Sequence, residues 1–205
     1  FKQKINGKPL VYLDSANSSQ KPKIIIDKIS SFYETEYSNV GRSVHTLAVK
    51  ATNRFEDTRD KIQKYLNAKH REEIIFTKGA TEAINLVASS YGKKYIKKGD
   101  EVLITELEHH SNYVPWNYLR TDKGAIIKFA QVNENGDVEI EEIKKLITNK
   151  TKIIAITHIS NVTGAILPIT KIVDLAKEKN IPVLIDGTQG APHSEIDMHK
   201  RECDD

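Results

Sequence analysis

The sequence is poor in cysteine, methionine and tryptophan, with one residue of each among its 205 residues. A single cysteine, Cys203, cannot form a disulfide within the chain, and no charged-then-apolar leader opens the sequence. We therefore expect a reducing, cytoplasmic location. The sequence also lacks any uncharged apolar run near the roughly 18 residues that a membrane helix needs, which excludes a spanning protein.

Neither sign of charge predominates, because the net charge is only +3 and the lysines are scattered along the chain. Neither a nucleic acid nor a membrane surface is therefore expected as the main partner. The only methionine is Met198, and the sequence opens at Phe1. These features predict a piece of a longer protein, in which any organellar targeting segment would precede Phe1.

From residue 73 onward, short β-branched runs alternate with longer helical patterns, which predicts an α/β fold with a mostly parallel sheet. Five strands are predicted, at Glu73–Thr77, Glu101–Thr105, Ala125–Ala130, Lys152–Thr157 and Pro182–Asp186. Four helices are predicted between them, near 80–91, 111–121, 139–148 and 169–179. Each helix has about the length that a right-handed crossover needs.

The first 70 residues have a different pattern. Apolar residues at three-, four- and seven-residue steps predict a long amphipathic helix over 46–68. A shorter helix is predicted over 22–37, behind Pro22. The segment 38–45 between the two helices has no apolar period and is predicted to be a loop.

A glycine, a small residue and a threonine follow the first predicted strand, as Gly79, Ala80 and Thr81. Free backbone N–H groups and a hydroxyl at a helix start attract an anion, so this turn is a candidate phosphate site. Alternatively, Thr81 is only an N-cap and binds no ligand.

The fifth predicted strand ends in a carboxylate, Asp186. Open α/β sheets bind ligands at the carboxyl ends of their strands, so Asp186 could hold a cation, a ribose hydroxyl or a protonated ring nitrogen. The alternative is that Asp186 caps the turn that follows it.

Acids and histidines follow the second predicted strand, in Glu106-Leu107-Glu108-His109-His110. Neighbouring side chains diverge and no ligand pair occurs at helical i, i+4 spacing, so no metal site is predicted. An imidazole here could stack on a planar ring or move a proton. Asn161 adds an amide after the fourth strand, and the set together favours a phosphorylated aromatic cofactor.

Seven motifs resemble one family in order and in spacing. They are Tyr12-Leu13-Asp14-Ser15-Ala16, Gln20-Lys21-Pro22, Arg42 with Val44-His45-Thr46, Thr81 to Val87, Glu108-His109-His110-Ser111-Asn112 with Val114-Pro115-Trp116, Ser160-Asn161-Val162 with Gly164, and Asp186-Gly187 with Gln189. The chain is identified as resembling the SUF-type cysteine desulfurases, a group that includes the selenocysteine lyases. That group belongs to the class V aminotransferase-like, fold-type I pyridoxal-phosphate enzymes.

The resemblance implies a three-layer α/β/α fold and pyridoxal 5'-phosphate as cofactor. Ala80, Thr81 and the adjacent amides would hold the cofactor phosphate, and Asp186 would pair with the pyridine nitrogen. His109 is implied as the catalytic residue, which stacks on the pyridine ring and assists proton transfer.

Further contacts are implied for Gln189, which would hydrogen-bond the phenolic oxygen. Asn161 would lie near that oxygen and the substrate carboxylate, and Ala16 in the segment that lines the substrate pocket. Residues 1–70 would belong to the substrate side and the contact of a homodimer, to which the loop Gly41–His45 would contribute. Residues 71–205 would form an incomplete cofactor-binding large domain.

This sequence departs from the family pattern at Asn17, Gly41, Ser43, Ala80 and Asp205. Asn17 and Gly41 bear on substrate handling. The cofactor-binding lysine of the family is implied near position 212, beyond Asp205, and the nucleophilic cysteine and the substrate-binding arginine would lie further on. Cys203 matches a structural thiol of the family rather than the nucleophile.

The expected activity of the parent protein is therefore conversion of L-cysteine to L-alanine. Sulfur would pass as an enzyme-bound persulfide to an acceptor protein of iron–sulfur cluster assembly, and the chain by itself would be inactive. One alternative is selenocysteine lyase activity on the same scaffold. Another is a truncated, non-catalytic remnant that only dimerises or binds a partner.

Overall fold

A computed structural model describes residues 3–198 of the chain. Cys203, the predicted structural thiol, and Asp205, a departure from the family pattern, lie outside these residues. Two compact units are present, one ending at Asp60 and the other beginning at Lys61. The strands are β1 (Lys4–Ile5), β2 (Lys8–Pro9), β3 (Glu101–Thr105), β4 (Ile126–Ala130), β5 (Thr151–Thr157) and β6 (Val183–Asp186). The α-helices are α1 (Lys23–Thr35), α2 (Thr46–Tyr65), α3 (Ala80–Val87), α4 (Lys93–Tyr95), α5 (Val114–Lys123), α6 (Ile140–Leu146) and α7 (Ile169–Lys177).

The first unit is built from the short antiparallel pair β1–β2, helix α1 and most of α2. Both helices predicted here are confirmed, and each ends two or three residues earlier than the sequence pattern suggested. Helix α1 has no buried residue, and Ile24 is 75% exposed. The assignment of residues 1–70 to the substrate side and a dimer contact stays a prediction.

The second unit is organised around a four-stranded sheet in the order β4-β3-β5-β6, and all three pairings are parallel. Every residue of β3 is buried, as is nearly all of β5, which is typical of central strands covered on both faces. The predicted mostly parallel sheet is confirmed. Its four strands begin within one residue of the predicted positions and end at the predicted residues.

Helices cover both faces of this sheet, so the three-layer α/β/α arrangement is confirmed. On one face, Leu103 and Ile154 pack with apolar residues of α6 and α7. On the other face, Val102 and Ile104 pack with Trp116 and other residues of α3 and α5. The alternation of side chains along each strand thus supplies two separate hydrophobic cores.

The predicted strand Glu73–Thr77 is wrong. Arg71–Glu73 forms a 3₁₀ helix, and no strand is assigned to residues 74–77. The Glu73 carboxylate accepts hydrogen bonds from the backbone amides of Lys69 and His70, which favours the local turn. Ile75 in this segment is 68% exposed. A β-branched run becomes a strand only where a neighbouring strand pairs with it.

Residues 71–73 and 110–112 form 3₁₀ helices, and residues 88–92 form a π-helical turn that joins α3 to α4. The helix predicted near 80–91 therefore continues to Tyr95. Among residues 3–198, no helix is both long enough and apolar enough to cross a membrane.

Candidate active site

Three strands end side by side at one edge of the sheet. Thr157, at the end of β5, pairs with Asp186, at the end of β6, and β3 runs parallel to both and ends at Thr105. Because parallel strands present their carboxyl ends together, the segments that follow them share this edge. The predicted residues His109, Asn161 and Gln189 lie in these segments.

Thr81 and His109 are connected through a third side chain, Ser111. The Thr81 and Ser111 hydroxyl oxygens lie 2.7 Å apart, and the Ser111 hydroxyl lies 2.9 Å from Nδ1 of His109. The Ser111 backbone amide also donates to this nitrogen, at 3.2 Å. Two donors near one ring nitrogen fix the orientation of the imidazole, and the ring itself remains exposed.

The alternative that Thr81 is an N-cap is wrong, because Gly79 occupies that position and α3 begins at Ala80. Gly79 has no side chain that could cap the helix. The first amides of α3 and the Thr81 hydroxyl therefore meet at the start of this helix, where the dipole favours an anion. Ala80 is partly buried in this turn.

Asp186 is a nearly buried carboxylate, 7% exposed. Its Oδ1 accepts hydrogen bonds from the backbone amide of Thr188, at 3.0 Å, and from the Thr188 hydroxyl, at 2.5 Å. The alternative that Asp186 caps the following turn is thus confirmed. The turn uses Oδ1, so it is compatible with a second role for the other oxygen in holding a cationic group.

Glu108 is a second acid at this edge, and it received no role in the sequence analysis. Its Oε1 accepts from the Thr105 hydroxyl, at 2.7 Å, and from the Thr157 amide, at 3.0 Å. Its Oε2 accepts from the side-chain amide of Asn112, at 2.7 Å. Burial raises the pKa of Glu108 from its ordinary 4.5 to about 7; the three hydrogen bonds oppose this rise, and the charge of Asp186 adds to it.

His158 lies beside the end of β6, and its ring lies against Gly190 in the turn that follows this strand. The His158 amide donates to the Asp186 carbonyl oxygen at 2.9 Å, and the His158 side chain is buried. A Cβ atom placed on Gly190 would lie 2.1 Å from Nδ1 of His158. Only glycine therefore allows the turn after β6 to approach the imidazole this closely.

The remaining predicted residues lie in turns. Asn161 is exposed in the turn after β5, where the Ser160 hydroxyl oxygen accepts from the amides of Val162 and Thr163. Gln189 is partly buried in the turn after β6. Ala16 is exposed in a turn of the first unit. The roles of these residues toward a cofactor or a substrate stay predictions.

The chemistry of this edge fits a phosphorylated pyridine cofactor. Helix N-terminal amides and hydroxyls suit an anion, an oriented imidazole suits a planar ring, and the Asp186 carboxylate suits a protonated ring nitrogen. Within the part of the chain that the structure describes, no group of three or more histidine, cysteine, aspartate or glutamate side chains could hold a metal ion. Sequence reasoning assigned no role to Ser111, Glu108 or Gly190. The motif Glu108-His109-His110-Ser111-Asn112 was the only signal that could have found the first two, and no motif included Gly190.

Most of the chain matches one known protein family. The family model "Aminotransferase class-V" matches residues 11–204. The chain belongs to the class-V aminotransferase family. A probable cysteine desulfurase of Halalkalibacterium halodurans is 46% identical over 202 residues, which are 98% of this chain and 50% of that relative. The chain spans about half the length of several of the curated relatives it matches and about a third of others.

Solved structures agree with this family assignment. The apo structure of cysteine desulfurase from Thermococcus onnurineus NA1 matches with a TM-score of 0.89 and 32% identity, over 95% of this chain and 48% of that one. A structure described as SspA in complex with cysteine matches with a TM-score of 0.86 and 25% identity, over 94% of this chain and 55% of that one. The predicted resemblance to class-V cysteine desulfurases is thus confirmed.

Proposed function

We propose that this chain is the N-terminal half of a pyridoxal-phosphate-dependent cysteine desulfurase. The observation that carries the proposal is the arrangement at the sheet edge, where Thr81, Ser111 and His109 form one connected group and the Asp186 carboxylate ends a strand at the same edge. The 46% identity to a probable cysteine desulfurase supports the same activity.

Different residues of the chain would bind different parts of the cofactor. The Thr81 hydroxyl and the first amides of α3 would bind the cofactor phosphate. Asp186 would accept a hydrogen bond from the pyridine nitrogen and keep that nitrogen protonated. When bound, pyridoxal phosphate supplies an electron sink for bond cleavage at the amino acid.

His109 would cover the pyridine ring and move a proton during turnover, with Ser111 holding Nδ1 so that Nε2 faces the reacting side. Gln189 would donate to the phenolic oxygen of the cofactor. Asn161 would contact that oxygen and the carboxylate of the substrate, and Ala16 would line the substrate pocket.

The substrate would be L-cysteine, and the products L-alanine and sulfur carried as an enzyme-bound persulfide. The cofactor-binding lysine, the nucleophilic cysteine and the substrate-binding arginine would be supplied by the part of the protein that follows this chain. We further propose a homodimer in the cytoplasm that passes sulfur to an acceptor of iron–sulfur cluster assembly.

The test is an assay of the full-length protein, saturated with pyridoxal phosphate and given L-cysteine and a thiol reductant. We expect alanine and sulfide in equal amounts, and loss of both when the cofactor is omitted. A parallel assay with L-selenocysteine separates the lyase alternative, which predicts turnover of selenocysteine and little of cysteine. A protein that binds the cofactor and turns over neither amino acid would contradict the proposal.

A further inference from the structure

The carboxyl group of Glu108 joins three separate parts of the sheet edge. It accepts from the Thr105 hydroxyl at the end of β3, from the Thr157 amide at the end of β5, and from Asn112 in the segment that leads into α5. Glu108 and Thr157 are 49 positions apart in the sequence. This one side chain therefore fixes the loop after β3 to the neighbouring strand.

Asn112 is held on its other side as well. Its Oδ1 accepts from Nε1 of Trp116 at 3.0 Å, and both Asn112 and Trp116 are fully buried. Because the tryptophan N–H can only donate, the amide oxygen of Asn112 must face it and the amide nitrogen must face Glu108. The orientation of the whole Glu108–Asn112–Trp116 network is thus determined.

His109 lies between Glu108 and Asn112, whose hydrogen bonds to buried partners form what we call the clamp. Glu108 and Asn112 point inward to buried partners, while the His109 ring is exposed and contacts Ser111. The Asn112 backbone amide also donates to the carbonyl oxygen of His109, at 2.8 Å. With both ends of this short loop tied down, the imidazole has little freedom to move away from the edge.

The clamp also sets the position of His109 relative to Asp186. Thr157, whose amide binds Glu108, pairs with Asp186 in the parallel register of β5 and β6. We propose that Glu108 is a positioning residue, which holds His109 at a fixed distance from Asp186 through Thr157 and Asn112. This inference rests on the proposed function, in which His109 and Asp186 act on the same cofactor.

The network requires an ionised carboxylate at position 108, because all three of its partners donate. In Glu108→Gln, the new NH₂ group must face either the Asn112 amide nitrogen or the Thr157 N–H, and both are donors. The exchange variant Glu108→Gln/Asn112→Asp restores the pattern. The introduced side-chain amide would then donate to one oxygen of the introduced carboxylate, Trp116 would donate to the other oxygen, and the net charge would be unchanged.

Chain geometry also offers a matched control, Glu101→Gln. Glu101 is a buried glutamate at the opposite end of β3, and it accepts hydrogen bonds from the hydroxyls of Thr148 and Thr151. Its removal should disturb the same strand without touching the loop that carries His109.

The experiment measures the full-length protein in two ways. The first is the ¹⁵N chemical shifts of the His109 imidazole in the cofactor-free protein, assigned with His109→Gln. The second is kcat and KM for L-cysteine in the loaded protein. We expect Glu108→Gln to shift the His109 resonances and to lower kcat about ten- to a hundredfold with KM nearly unchanged. Glu101→Gln should leave both readouts near wild type, and the exchange variant should recover them.

Equal losses of kcat in Glu108→Gln and Glu101→Gln would overturn the inference, since general destabilisation would then explain both. An exchange variant no better than Glu108→Gln would overturn it as well. If Glu108→Gln does not fold, the exchange variant decides, because a folded exchange variant with wild-type His109 resonances supports the clamp. Should the wild-type protein lack desulfurase activity, the proposed function fails, and the imidazole shifts still test the clamp.

Discussion

Two glutamates flank strand β3 and have opposite electrostatic surroundings: Glu101 is buried at its start, and Glu108 is partly buried three residues beyond its end. At the amino end, Glu101 accepts from Thr148 and Thr151, and Lys128 lies 3.0 Å away. Beyond the carboxyl end, the partners of Glu108 are all neutral donors, and the nearby charge that affects it is that of Asp186.

The pKa values of the two acids move in opposite directions for this reason. Burial raises the pKa of Glu101, but the hydrogen bonds from Thr148, Lys128 and Thr151 and the positive charge of Lys128 outweigh it, so the pKa lies below its ordinary value. Burial dominates at Glu108 and raises its pKa to about 7.

The two edges of the sheet therefore differ in whether a positive charge balances their acids. The amino edge balances its buried charge with a lysine of the neighbouring strand. The carboxyl edge leaves two acids without a cation among the described contacts, which costs stability and is typical of sites that bind a charged group. Under the proposed function, the protonated cofactor ring would supply the missing positive charge next to Asp186.

The largest effect is expected for Asp186→Asn in the full-length protein. A neutral amide cannot hold a proton on the ring nitrogen, and losing such a pair in a site with little water costs several kcal/mol, or about ten- to a thousandfold in turnover. The measurement is turnover of L-cysteine together with the absorbance of the bound cofactor. Glu101→Gln is the control from the opposite edge, and near-normal turnover of Asp186→Asn would show that another carboxylate does this work.

A pH dependence of unfolding should follow from the raised pKa of Glu108. Between its ordinary pKa of 4.5 and its folded value of about 7, the folded protein binds more protons at Glu108 than the unfolded chain does. Stability from this group is therefore lost as the pH rises through that range, by at most about 3 kcal/mol. Denaturant unfolding of the full-length protein between pH 4.5 and 7.5 measures it.

Glu108→Gln provides the comparison for this pH dependence of the unfolding free energy. Glu108→Gln has no titrating group at this position, so its unfolding free energy should change less with pH across the same range. Identical slopes for the wild type and the variant would mean that Glu108 does not titrate there.

Gly190→Ala should destabilise the carboxyl edge through packing. The added Cβ would lie 2.1 Å from Nδ1 of the buried His158, and overpacking of this kind costs about 1–3 kcal/mol. Gly187→Ala is the matched control, since a Cβ there would meet nothing within 4 Å. Melting temperatures of the two full-length variants give the result. A similar melting temperature for both would indicate that the His158 ring moves aside without cost.

The smallest effect is expected for Glu101→Gln, about 1 kcal/mol, because Lys128 is partly exposed and can turn to water. Since the folded pKa of Glu101 lies below its ordinary value, its contribution is present above that ordinary value and is lost as the pH falls through the folded pKa. The difference in unfolding free energy between wild type and variant should therefore be smaller at pH 4 than at pH 7. A larger difference at pH 4 would reverse the sign assigned to this acid.

Much of the second unit was predictable from periodicity. The strands at 101–105 and 151–157 are apolar runs that pack on both faces, and such runs are recognisable without knowledge of their neighbours. The segment 73–77 has the same local character but is not a strand. Strand formation depends on a pairing partner, and a local pattern contains no information about that partner.

The site divides in the same way. His109 follows β3 by four residues and Asp186 ends β6, so the chain itself places both at one edge. Thr81 was predicted from the glycine and small residue before it, although no strand immediately precedes it in the structure. The Thr81–Ser111 contact joins residues 30 positions apart, and the Glu108–Thr157 contact joins residues 49 apart. Contacts of this range depend on the register of the strands, which no motif specifies.

By itself, the sequence determined the α/β class, the order of the helices and strands from Glu101 onward, the family and the residue types available at each strand end. These follow from local periodicity and from motif order, which are properties of neighbouring residues along the chain. Only the tertiary structure decided that Glu101 meets a lysine while Glu108 meets three neutral donors and a second acid. Burial and charge pairing arise from strand register and loop packing, so the opposite pKa directions of two glutamates seven residues apart became visible only in the folded protein.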